Sequence, residues 1–148
     1  MERVIGKIEK GWCNVMIRKI VKVRSSVKGV GRAPSFVREF CRENAIMDNI
    51  NDHLCVVLEE ILPNIATIST SPRICLEMVK KDQTVEFIIS HNSEKYDIAD
   101  QYGLLWPENA ENTRINESSM KIIHTLMDRI ECSYEAGVNT TCLVKYLS

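Results

Sequence analysis

Glycine and proline are sparse, at 6 and 4 of 148 residues, which excludes collagen-like and low-complexity architectures. Long apolar runs are missing too. None approaches the roughly 20 residues of a membrane-spanning helix, and the basic N-terminus has no signal-peptide core. A soluble, cytoplasmic protein is the expectation. Net charge is nearly absent at −1, so nothing global points to nucleic acid or to an acidic membrane. Cys13, Cys41, Cys55, Cys75, Cys132 and Cys142 are scattered and never form C-x-x-C. Most sit in apolar runs, such as Leu54-Cys55-Val56-Val57-Leu58, where a thiol behaves as a small buried hydrophobe. The pattern reads as reduced thiols rather than a disulfide framework. His53, His91 and His124 have no ligand spacing with them, which argues against zinc.

What is present is the composition of one globular domain: 45% apolar, 26% charged, and long enough to bury a core unaided. The near-neutral charge conceals a division. Residues 1–32 carry nine Lys and Arg against Glu2 and Glu9, a balance of +7, and residues 33–148 carry −8.

Residues 14–24 are rich in β-branched side chains and read as a strand, followed by a loop at Gly29 and Gly31. Its Lys and Arg are either a patch for an acidic partner or water-facing charges of the kind that protect an edge strand. Pro34 suits the first turn of a helix whose apolar stripe is Phe36, Val37, Phe40 and Cys41. Asp48 or Asn49 is a plausible N-cap for a second helix to about Ile68, interrupted by Pro63. Arg73–Lys80 and Thr84–Ser90 alternate as strands around a turn. Residues 91–116 lack periodicity and read as a lid, a binding loop or a partly disordered segment. Ser118 or Ser119 opens a third amphipathic helix reaching Ile130, and Glu131–Glu135 with Thr140–Leu147 makes a closing hairpin. The order predicts an α+β two-layer sandwich: a mixed, mostly antiparallel sheet covered on one face by about three helices.

Three segments carry a resemblance. Val56-Val57-Leu58-Glu59-Glu60-Ile61-Leu62-Pro63-Asn64-Ile65 resembles the N-box of the GHKL ATPase superfamily, the fold of histidine kinases, gyrase and the heat-shock chaperone ATPase. Within it the chain is most similar to the anti-sigma-factor serine kinases. Residues 119–130 resemble the helix after that family's ATP lid, and Asn139–Lys145 its last strand. The similarity spans about residues 12–147. It implies a single histidine-kinase-like ATPase domain, with residues 1–12 as an N-terminal extension and 91–116 as a degenerate lid.

The resemblance also implies a site. Glu60 and Asn64, i and i+4 on one helix face, match the residue that activates the attacking hydroxyl and the residue that helps hold Mg²⁺ on ATP. The solvated edge of an ordinary helix would look the same. Aligned on Tyr96-Asp97, His91 stands where the family has an adenine-binding Asp, and Ser93 stands at a Gly. Neutral His accepts one hydrogen bond, and Ser restores a side chain where close approach is needed. In the second glycine box, Glu117 and Ser119 replace both glycines, while a threonine near Thr140 survives. The implied reading is a vestigial nucleotide pocket without cofactor, in a protein whose partner is a sigma factor or an anti-anti-sigma-like domain, with a second copy of itself as a further candidate. The alternative is an active serine/threonine kinase using Mg-ATP. Trp106, with Leu104 and Leu105, is either a partner anchor or a plug for the emptied pocket.

Overall fold

In the computed structural model, which describes residues 2–10, 15–95 and 117–147, the alternating segments become one sheet. The elements are β1 (Glu2–Lys10), β2 (Val15–Arg24), one-turn α1 (Val27–Val30), α2 (Ala33–Glu43), α3 (Asp48–Ile68), β3 (Arg73–Lys80) and β4 (Thr84–Asn92). After them come α4 (Glu117–Leu126), β5 (Arg129–Glu135) and β6 (Val138–Tyr146). Six strands pair in the order β1-β2-β3-β4-β6-β5, and each neighbouring pair is antiparallel. The fold is α+β. The sheet is antiparallel throughout the described residues rather than mixed.

Period-two alternation lines up across the strands, because register fixes which residues stand side by side. Val21, Leu76 and Ile89 form one apolar row, and Met78, Phe87 and Leu143 form the next. All six are fully buried beneath the helices. The α2 stripe of Phe36, Val37, Phe40 and Cys41 and the α3 face of Leu54, Leu58, Ile61 and Ile65 complete the core. Phe36 meets Phe87 edge to face, with centroids 6.4 Å apart. Each such side chain contributes roughly 1.5–3 kcal/mol by leaving water.

Several boundaries differ from the sequence expectation. The N-terminal residues assigned to an extension form β1, so β2 lies inside the sheet and β1 takes the edge. The β2 cations therefore divide by face. Lys19 points under α2 and is buried, with Nζ 2.8 Å from Glu43 and 3.7 Å from Glu39. Arg18 turns to the open face, 3.4 Å from Glu77, and Lys22 and Arg24 are exposed. Met47 caps α3, and Asp48 lies in the first turn, where its charge meets the helix's amide end. The end of α3 agrees with expectation: the helix runs through Pro63 to Ile68, and Leu62, Ile65 and Ala66 remain buried.

The third helix stops at Leu126, so Ile130 belongs to a strand. Lys145 Nζ donates to the Leu126 carbonyl at 2.6 Å, and Asp128 accepts the Tyr146 amide at 2.7 Å. A cation on the last carbonyls is a favourable helix end. The hairpin between β5 and β6 turns on Ala136 and Gly137, both with positive φ, the geometry that matches strand twist in a two-residue loop.

Candidate functional site

Helix α3 divides the helical layer, and its two flanks can be identified. On one flank Val27 and Val30 of α1 share a gap of about 200 Å³ with Leu58, Glu59, Leu62 and Pro63. Cys55 Sγ on the same side lies 4.0 Å from the Pro34 carbonyl of α2. At 100° per residue, Glu60 and Asn64 fall on the opposite flank. Helix α4 also contacts α3. With the first flank taken by α1 and α2 and the inner face by the sheet, Glu60 and Asn64 face the α4 side. Glu60 is half-buried and Asn64 exposed. The C-terminus of α3 is fastened to the end of β4: the Thr70 amide and hydroxyl both donate to the Asn92 carbonyl, at 2.7 and 3.0 Å.

Beneath that end the sheet changes chemistry. His91 on β4 stands opposite Asn139 on β6, and Ile89 stands opposite Thr141. His91 and Asn139 are each 1% exposed and Thr141 is 0%. The amide of Asn139 donates to Ser93 Oγ at 2.8 Å and to the Glu94 carbonyl at 2.9 Å. Ser93 in turn donates its hydroxyl to the Glu94 carbonyl at 2.7 Å, and its amide reaches the Gly137 carbonyl at 3.4 Å. Asn139 thus closes the exit of β4 onto the β5–β6 turn. Burial pushes the His91 pKa down, so its imidazole is neutral at pH 7. Thr141 Oγ1 is buried and has no hydrogen-bond partner among the described residues.

The structure therefore gathers His91 and Ser93 at the end of β4, where the chain leaving α3 is fastened through Thr70. It separates Thr140 from them. Strand parity places Thr140 opposite Ser90 on the open face, and the inward threonine is Thr141. Glu117 and Ser119 lie in the first turn of α4. Asp97 and Trp106 lie outside the described residues. Asn139 is the residue that sequence reasoning passed over. Its signal was parity with Thr141 and Leu143, which puts a polar group on an otherwise apolar face; its partners come from 45 and 46 residues away.

Two of the thiols are held in the protonated form, which is a poor nucleophile. Cys41 is in the core and Cys142 is half-buried on the open face, and burial pushes both pKa values up to about 12. All five described cysteines are free thiols. Among the described residues no group of three His, Cys, Asp or Glu side chains is placed to hold a metal ion, and no helix is long and apolar enough to cross a membrane. Comparison with models of known protein families gives no match, and comparison with curated proteins gives none.

Proposed function

We infer that the chain is an anti-sigma-factor-like regulatory protein of the histidine-kinase-like ATPase fold, acting in the cytoplasm by protein–protein binding. One observation carries the reading: the residues at the adenine-binding positions serve the fold. The resemblance puts an acidic acceptor at His91, but the group present is a neutral imidazole at the buried end of β4. It puts bare backbone at Ser93, but a side chain stands there with its oxygen held by Asn139 at 2.8 Å. A purine amino group needs an acceptor it can reach, and a backbone approach needs space. These residues do not fit a nucleotide. The partner class is a sigma factor or an anti-anti-sigma-like domain, with a second copy of the chain as the other candidate.

Titration calorimetry tests both halves. Mg-ATP and Mg-ADP are expected to give no saturable heat at the α3–α4 site up to about 1 mM. A sigma factor or anti-anti-sigma domain from the same cell is expected to bind. A micromolar nucleotide response together with phosphate transfer that Glu60→Gln abolishes would replace this reading with that of an active serine kinase. Binding to neither protein class, with no self-association in sedimentation, would remove the regulatory assignment.

A further inference from the structure

Arg24, Lys28 and Arg32 are drawn from three successive pieces of chain, the end of β2, α1 and the residue that caps α2. They line one cleft of about 340 Å³ together with Val23, Ser26 and Gly29. No acidic residue is among the described residues that line the cleft. None of the three charged side chains forms an ion pair or hydrogen bond with a described side chain. Gathering three like charges without a counter-charge is unfavourable, and a bound anion reverses the sign of that interaction.

The gathering is built rather than incidental. A Cβ on Gly29 would collide with the backbone carbonyl of Arg24, so only glycine lets α1 fold back onto the end of β2. The same residue's amide is held by Ser26 Oγ at 2.9 Å, which leaves the Ser26 hydroxyl proton to be donated elsewhere. A second cleft of about 350 Å³ adjoins across the Arg24–Arg73 pairing and is lined by Lys22 and Arg73. Two guanidinium forks flanking an ammonium suit the oxygens of linked phosphates, which accept paired N–H donors.

We propose that the Arg24–Lys28–Arg32 cleft binds a ligand carrying two or more linked phosphates. Its volume is several times that of one ordered water site, whose share of the liquid is about 30 Å³, so a single orthophosphate would leave it mostly wet. The site lies on the α1 flank of α3, away from Glu60 and Asn64, and is independent of the anti-sigma reading. The linked phosphates come either from a free oligophosphate or from a nucleotide tail.

The probe is sodium tripolyphosphate, titrated at low and at physiological ionic strength, with orthophosphate, ATP and a single-stranded oligonucleotide as parallel arms. One-to-one binding of tripolyphosphate tighter than about 1 mM is expected, at least tenfold tighter than orthophosphate and weakened by salt. Arg24→Gln, Lys28→Gln and Arg32→Gln should each weaken it about fivefold, and the triple variant should abolish it with an unchanged circular dichroism spectrum. Amide shifts at Ser26 and Gly29 should mark the site in a nitrogen–proton correlation spectrum. ATP equal to tripolyphosphate identifies the phosphates alone as the ligand, and ATP tighter identifies a nucleotide tail; both support the site if the triple variant loses them. An ATP response that survives the triple variant belongs to the α3–α4 site and overturns the nucleotide-free reading there instead. Absence of saturable tripolyphosphate binding, equal affinity in the triple variant, or tighter binding of the oligonucleotide than of tripolyphosphate overturns the proposal.

Discussion

On the α4 side of α3 the polar groups beneath the helix are buried and Asn139 is held by hydrogen bonds, whereas on the α1 side Arg24, Lys28 and Arg32 stand exposed around a cleft with no acid among its described lining residues. Asn139 spends its amide on Ser93 and Glu94. The charged groups of Arg24, Lys28 and Arg32 have no such partners among the described side chains. Both regions border the same end of the sheet, yet one has been closed by hydrogen bonds and the other left as an open charged cleft. A side chain that a neighbour holds contributes to stability, and one that no neighbour holds remains available to a ligand. Substitutions should therefore separate the two sides, with stability changing on one and anion binding on the other.

The largest departure from that division is expected at Gly29, where the α1 cleft depends on packing. Gly29→Ala forces α1 away from the Arg24 backbone and should cost about 2–3 kcal/mol in urea unfolding, with tripolyphosphate binding lost as well. A neutral outcome would mean that α1 is not tightly held. Next comes Asn139→Ala, which leaves a buried gap and strips Ser93 and Glu94 of a donor, for a loss of about 2 kcal/mol. Arg32→Gln, on the other side, should change stability by no more than about 0.5 kcal/mol. Equal effects from Asn139→Ala and Arg32→Gln would erase the contrast.

A smaller effect is expected from His91. Its folded pKa is depressed by burial below the unfolded value of 6.5, so below that pH the unfolded chain binds more protons. Stability is then fully present above pH 6.5 and declines as pH falls toward the folded pKa. Denaturant midpoints measured across that interval should show the decline, and His91→Gln should flatten it. A decline unchanged in the variant would assign the pH dependence to other groups. Smallest is Thr141→Val, which replaces a buried hydroxyl lacking a partner among the described residues and should be neutral or stabilising by up to about 1 kcal/mol. A clear loss of stability would show that the hydroxyl is engaged.

Much of the fold was legible because its signals are local. The α2 stripe, the α3 face and the alternation of β3 and β4 are periodic in sequence, and each became the element expected. The misread boundaries share a cause. Ile130 continues the helical spacing of Ile123 and Met127, but Lys145 and Asp128 bind across the α4–β5 junction and end the helix there. The end of α3 at Ile68, by contrast, was read correctly through Pro63, because burial on both sides of the proline keeps the helix whole. β1 is heavily charged, and its pairing becomes visible only once β2 offers a strand to bond with. In the candidate site, Glu60 and Asn64 could be placed on one helix face from their spacing. The parity that divides Thr140 from Thr141 needs a register, and the partners of Asn139 need a sheet.

The scarcity of glycine and proline already excluded collagen-like and low-complexity architectures, and the sequence by itself determined the α2 stripe, the α3 face and the alternation of β3 and β4. It also determined that the positive charge is concentrated before residue 33. Tertiary structure alone decided that Lys19 is buried on two carboxylates while Arg24, Lys28 and Arg32 converge on open space, and that Asn139 seals the end of β4. The physical reason is range. Hydrophobic periodicity repeats within a few residues and acts wherever the chain is, whereas a hydrogen bond or an ion pair takes its value from groups that only the folded chain brings within 3–4 Å.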